Sequence, residues 1–450
     1  MKKTTAAALR KLGTLLPAAV TLASLLTACN GDNDNTVAAS PAPAAKATTT
    51  CLWRGPLTAA NPDTNYAFPD AGAYYWSGIV TVPTGARVFI KGQYPHSRYI
   101  SYVSYNSDGT PKESLVDTAI TPDAGSVNPF VAGNMRTLTQ RDYGIEIVPG
   151  DAPSGARPAN TLYAPVAANQ TISVLYRVYV PDSGRDIMGD VSLPSLEVHL
   201  ADGSVQTGDS ACQTLKASPD LFPRTSPNQT TYLTARDQAG TAVGFPAANP
   251  GVWHAAYNTT FNFKCMFYGV CSGTPVRAVG YYANPDNAYT FANISRDLGK
   301  VVVLRGKIPA VATTFLGDQY AQLGQLRYWS MCNNEYFTQK VTSCLFDQQI
   351  PINADGSYTI VVSQTGDRPS NANLACGVGY LEWSALGDGL GHSNDGLLIM
   401  RNMLPSPGFT QAIQNTSTPG DETSVLGSYL PSISYMSQAD FEARGCPSYP

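Results

Sequence analysis

Charge is scarce in this 450-residue chain: Asp, Glu, Lys and Arg make up 14% of it, and the formal net charge is −4. No basic field exists that could hold a nucleic-acid backbone. Histidine is scarcer still, with four residues (His96, His199, His254 and His392). Any general base working near neutral pH therefore has few places to be. Cys-x-x-Cys is absent, which removes zinc-ribbon and thioredoxin readings. Neither a Walker-type phosphate loop nor His-Glu-x-x-His is present, and nothing calls for a cofactor. The apolar run Leu12 to Leu26 is too short for a comfortable membrane span.

What is abundant points to strands. Gly and Pro are frequent (39 and 33), Tyr dominates the aromatics with 25 residues, and Thr and Val are common. That mixture favours short strands joined by turns. The length exceeds what one core organises, so two or three domains are expected.

The first residues read as an address. Lys2, Lys3, Arg10 and Lys11 precede the apolar run, which ends in Leu26-Thr27-Ala28-Cys29. That ending resembles a bacterial lipobox. The resemblance implies removal of residues 1–28, acylation of Cys29, and a place in the cell envelope, anchored by lipid in the outer membrane. Residues 29–50 read as a flexible tether, able to hold the body roughly 25 Å from a bilayer. The eight remaining cysteines suit an oxidising compartment. Cys332 with Cys344, flanking a possible hairpin, and Cys265 with Cys271 are the expected bridges. Cys51 is expected to pair with a late cysteine.

The chain is written twice. Asn61-Pro62-Asp63, followed by Tyr66 and Phe68, recurs as Asn284-Pro285-Asp286, followed by Tyr289 and Phe291. Arg98-Tyr99-Ile100-Ser101 recurs as Arg327-Tyr328-Trp329-Ser330, and the blocks around Asp117 and Asp347 follow at like spacing. The expected fold is all-β: two tandem, duplicated antiparallel β-sandwich domains of jelly-roll type, with long loops and a few short helices. Boundaries fall at 51–205 for the first repeat, 206–283 for a loop-rich connector, and 284–450 for the second repeat with a C-terminal helix. Short helices are expected from Ser406 to Gln414 and from Ser437 to Arg444.

Several blocks together carry a family resemblance: Asn61-Pro62-Asp63-Thr64-Asn65-Tyr66, Pro95 to Ser101, Asn128-Pro129-Phe130 and Asn160-Thr161-Leu162-Tyr163. They resemble a group of uncharacterised exported bacterial proteins with an Asn-x-Asp-Thr-x-Tyr signature and a double β-sandwich. The resemblance implies the fold and no activity.

Polar residues present in both copies (Asp63 and Asp286, Arg98 and Arg327, Asp117 and Asp347, Arg177 and Arg401) read as braces of the fold, with Arg98 paired to Asp117 and Arg327 to Asp347. Function is then expected where the copies differ: His96 with loop 127–142, Trp253, His254 and Tyr257 in the connector, and Tyr320 in insert 310–326. A pocket is expected near the junction of the sandwiches, contacted by the 250–260 loop and at least one insert. It would bind a glycan or a hydrophobic small molecule. The rival is an exported hydrolase of esters or glycosides with His96 or His254 as base. Gly391-His392-Ser393 is a poor nucleophile elbow, and Asp182, Asp186 and Asp190 lack calcium-loop spacing.

Overall fold

The computed structural model describes residues 50–220, 227–238, 244–277 and 282–446. The leader, Cys29 and nearly all of the tether lie outside the described residues. No helix among the described residues is long and apolar enough to cross a membrane.

The first half supplies ten strands: β1 (Arg54–Leu57), β2 (Ala73–Thr81), β3 (Arg87–Gln93), β4 (Ser97–Tyr105), β5 (Pro111–Val116), β6 (Asp142–Pro149), β7 (Thr161–Ala164), β8 (Thr171–Pro181), β9 (Ser195–His199) and β10 (Val205–Thr207). They form two sheets, ordered β1-β2-β8-β4-β5 and β10-β9-β3-β6-β7. The second half supplies β11 (His254–Ala255), β12 (Asn287–Ser295), β13 (Val301–Lys307), β14 (Tyr328–Asn334), β15 (Val341–Phe346), β16 (Ser357–Ser363), β17 (Gly379–Glu382), β18 (Asp395–Met403) and β19 (Ser432–Met436). Their sheets run β11-β12-β18-β14-β15 and β17-β16-β13-β19. The two strand orders correspond, except that β10 has no counterpart among the described residues. Pairing is antiparallel save for β6 with β7 and β16 with β17, which are parallel edges at equivalent places.

Each pair of sheets closes on its own core. Trp76, Ile100, Tyr102 and Val178 from one sheet meet Val88, Ile90, Ile145 and Val198 from the other. In the second sandwich Trp329, Met331, Leu398 and Met400 meet Val302, Leu304, Ile360 and Ile433. The outer sheets alternate as half-solvated strands should: β9 reads exposed, buried, half-exposed, buried, half-exposed. The central strands of the inner sheets do not, since every residue of β4, β14 and β18 is buried. Their second faces are covered by the other sandwich. Ala73, Tyr99, Tyr179 and Val180 pack there against Tyr328, Phe346 and Met403. Four layers result, with the two inner sheets face to face.

The repeat register differs from the one suggested by Asn-Pro-Asp. Asp63 lies in a turn well before β2, whereas Asp286 directly precedes β12. Both motifs fold the same Asx turn, with the Asp63 and Asp286 amides donating to Asn61 and Asn284. The match reflects local turn chemistry. Equivalence in the fold is set instead by Asp70 and Asn284, whose backbone N–H groups donate to the hydroxyls of Tyr75 and Tyr289 at 3.0 and 3.1 Å.

The second repeat also starts earlier than residue 284. Trp53 Nε1 donates to the Pro194 carbonyl at 2.7 Å, and Trp253 Nε1 donates to that of Pro431 at 2.7 Å. Each proline packs beside a glycine, Gly92 or Gly306, in the third strand of its repeat. Trp253 is therefore the second copy of Trp53, and β11, which pairs with β12, is the second copy of β1. Among the described residues of the stretch between β10 and β12 are three short α-helices: α1 (Gly208–Thr214) and α2 (Gln229–Arg236) before β11, and α3 (Thr259–Tyr268) after it. Asn228 and Asn258 cap α2 and α3 by accepting from the amides of Thr231 and Phe261. Two further helices, α4 (Glu422–Leu426) and α5 (Gln438–Glu442), lie near the end. Ser437 caps α5, and Gly445, at φ 79, follows it. The helix expected from Ser406 to Gln414 does not form: a turn lies at residues 407–408 and one 3-10 turn at Ile413–Asn415.

Disulfides join Cys265 to Cys271 and Cys332 to Cys344, the latter directly opposed on β14 and β15. Cys51 bonds Cys212 and Cys376 bonds Cys446. Each bridge closes within one half, so Cys51 does not staple the two ends together.

Candidate ligand-binding site

The interface between the sandwiches is reciprocal. Arg98 donates to both carboxylate oxygens of Asp347 at 2.6 Å, and Arg327 reaches Asp117 at 3.4 Å. These pairs cross between copies, and the within-copy pairing expected from the sequence does not form. What stays within each copy is the carboxylate's second bond. Asp117 accepts from the Ile100 amide and Asp347 from the Trp329 amide, each at 3.0 Å and each two residues beyond the arginine. Arg98 is also held by Thr314 and Gln348. Burial raises the Asp117 carboxyl to about 6, against the opposing pull of Arg327 and the Ile100 amide.

Alternation along β2, β8, β12 and β18 turns Tyr75, Arg177 and Tyr179 toward the other sandwich, and likewise Tyr289, Ile399 and Arg401. These side chains border a cavity of about 200 Å³. Its walls also include Leu175, Phe291 and Leu397 from the strands, Tyr66 to Pro69, Tyr282 to Asn284, Tyr336 and Gln339. The connector covers it with Pro227, Ala256 and, from α3, Thr259, Asn262, Phe263 and Met266. Tyr232 of α2 and Phe267 of α3 pack against Tyr336, fixing the cover to the second sandwich. Tyr232 also donates to Asp388, which accepts from His392 Nδ1 at 2.6 Å.

The lining is mostly apolar, yet it includes two buried guanidinium groups. Arg401 lies over the Tyr289 ring, donates to the Phe68 carbonyl at 2.7 Å, and has the Asp70 carboxylate at 3.5 Å. Arg177 is its equivalent, over the Tyr75 and Tyr105 rings. It donates to the Tyr105 hydroxyl and to the Tyr282 carbonyl at 2.7 Å. Among the described residues no carboxylate forms an ion pair with Arg177, and its Nε and Nη1 are buried without a hydrogen-bond partner.

The candidate residues read from the sequence fall elsewhere. His96 packs beside Arg141, which contacts its ring at 2.7 Å. Burial and that cation lower its pKa to about 4. His254, half-exposed on edge strand β11, stacks on Phe291, and burial lowers its pKa. Tyr257 packs on Phe261 and under the Arg277 guanidinium. Trp253 is a core anchor. Neither His96 nor His254 hydrogen-bonds a serine hydroxyl or a carboxylate among the described residues, and none of these four lines the cavity.

Tyr320 is 46% exposed and away from the cavity as well. The two inserts serve each other instead: Met135 bridges Tyr320, Gly133 donates to the Ala321 carbonyl, and Arg136 donates to those of Gln319 and Asp318. Asp182 accepts from Arg136, while Asp186 and Asp190 close a turn by accepting from backbone amides. Asp388, His392 and Asp395 stand close enough together to hold a cation. Arg236 occupies Asp395 at 2.7 Å, and Tyr232 occupies Asp388, so the cluster reads as the seat of α2.

The expected contact from the 250–260 stretch is present through Ala256 and Thr259. The residues the sequence reading missed are the shared ones, Arg177 with Arg401 and Tyr75 with Tyr289. Their signal was legible as a polar position repeated in the middle of two otherwise apolar strands.

No family model matches the chain, and no curated protein matches it. Among solved structures, it is similar to a putative uncharacterised protein from Burkholderia cenocepacia, with 13% identity, 83% of this chain and 78% of that one covered, and a TM-score of 0.42. It is similar also to the VPA0106 protein from Vibrio parahaemolyticus, with 10% identity, coverage of 86% and 92%, and a TM-score of 0.37.

Proposed function

We propose that this protein binds a hydrophobic small molecule between its two sandwiches, and that it does so in the bacterial cell envelope on a lipid-modified Cys29. The observation that carries the reading is the apolar cavity between the inner sheets, roofed by Pro227, Ala256 and α3, which the first repeat does not match. Its small, apolar lining favours a hydrophobic ligand over a glycan, which would need many convergent polar groups. The hydrolase reading has no such support, since His96 and His254 stand away from the cavity and burial disfavours their charged forms. Membership of the exported double-sandwich group belongs to the same proposal.

Titration calorimetry with 1-octanol, an uncharged probe, tests it. The full chain should bind the alcohol, and Ile399→Trp, which fills the cavity from β18, should abolish the signal without loss of folded structure. An absence of binding by the wild-type chain would sink the reading.

A further inference from the structure

The two inner arginines occupy equivalent positions and differ in one respect. Arg401 faces Asp70. The residue equivalent to Asp70 is Asn284, as the matching amide-to-tyrosine hydrogen bonds at 3.0 and 3.1 Å establish. The carbonyls that hold the two guanidinium groups match in the same register, Phe68 for Arg401 and Tyr282 for Arg177, each two residues before the Asp or Asn. The pseudo-twofold relation thus places an amide where Arg177 would have met a carboxylate. Asp286, two residues on, is already engaged by the hydroxyls of Tyr99 at 2.5 Å and Ser114 at 2.8 Å.

A buried guanidinium with unpartnered N–H groups is costly, whereas its pairing with a carboxylate in a site shielded from water is strong. Arg177 is 1% exposed, and both it and Asn284 line the cavity. The tyrosine rings of Tyr75 and Tyr105 offset part of the charge, and the Nε and Nη1 donors stay without a partner. We infer that the ligand is an amphipathic monocarboxylate whose anionic head supplies to Arg177 the carboxylate that Asp70 supplies to Arg401. Its apolar body then lies along Leu175, Phe291, Leu397 and Ile399. A cavity of about 200 Å³ suits one aromatic ring or a medium-length aliphatic chain, since benzene fits a cavity of roughly 150 Å³.

This inference rests on the cavity reading, and its test separates the two. Octanoate and 1-octanol are titrated into the full chain at pH 7. Octanoate should bind at least about tenfold more tightly, the gain expected for a charge-assisted pair. Asn284→Asp should build an internal partner for Arg177 and cut the preference for octanoate over 1-octanol by about tenfold or more. Arg177→Gln should erase the preference in the same way. Asn284→Asp carries the test if Arg177→Gln does not fold, because it is nearly isosteric and adds an ion pair. Equal affinity for acid and alcohol, or an undiminished preference for octanoate in Asn284→Asp, overturns the inference and leaves the cavity reading standing. Failure of both probes to bind overturns both.

Discussion

At the scale of single residues, Arg98 and Asp117 separate what a sequence can say from what it cannot. Both were legible as duplicated polar residues, because a brace recurs in every copy. The partner was not, because spacing along the chain carries no information about which copy a side chain reaches. Arg98→Ala strands a buried Asp347, at a cost of about 3–5 kcal/mol. Chemical denaturation of the single and double mutants should give strong coupling of Arg98 to Asp347 and none to Asp117. Asp117 itself makes stability depend on pH. Its carboxyl is raised by burial from 3.8 to about 6 in the folded chain, so folding favours the protonated form. That contribution is complete below about pH 4 and is lost as pH rises toward 6. Relative to Asp117→Asn, the wild-type chain should therefore be more stable at pH 4 than at pH 7, read from urea midpoints. An unchanged difference would argue that Arg327 neutralises Asp117 fully.

At the scale of elements, the strands were readable and one connector was not. Runs such as Val88 to Ile90, bounded by turn residues, lie in sandwich strands as expected, and their burial alternates. Strands β4 and β18 also carry polar residues on the face turned to the other sandwich, Ser97 and Ser101 in one and Arg401 in the other, yet both faces are buried. Periodicity reports that two faces differ, and it is silent on whether the polar face meets water or another sheet. Strand β11 is only two residues long, below what any periodic signal can mark, which hid Trp253 as the second copy of Trp53. Trp253→Phe should cost about 1–3 kcal/mol by leaving the Pro431 carbonyl unpaired, with 1-octanol affinity unchanged. Tyr320→Ala should change neither quantity, since its backbone makes the bridge to Met135. A loss of affinity in either variant would place the ligand outside the cavity.

At the scale of the whole molecule, the sandwiches depend on each other. Tyr99, Tyr179, Arg98 and Arg177 are 2% exposed or less, and the other sandwich covers much of them. A chain cut between Arg236 and Trp253 should give two fragments that migrate as one species in gel filtration, and neither should be a folded monomer alone. Two independently folded fragments would refute the four-layer account. The same dependence explains why the cavity lies apart from the residues that the sequence singled out. Sharing between copies was taken to mean a structural role, but a cavity that straddles the axis relating the copies is lined by shared residues of necessity.

The change of Asp70 to Asn284 also marks a freedom that separate subunits lack. Two identical chains meeting about a twofold axis present every residue twice, so a cation on one side of the axis is matched on the other. Such a dimer could hold two anions or none in its interface, and a mutation would alter both places at once. With both copies in one polypeptide, a single codon can differ. One guanidinium is then neutralised from within while its twin keeps unpartnered donors, and an anion drawn to them would have one way in which to lie.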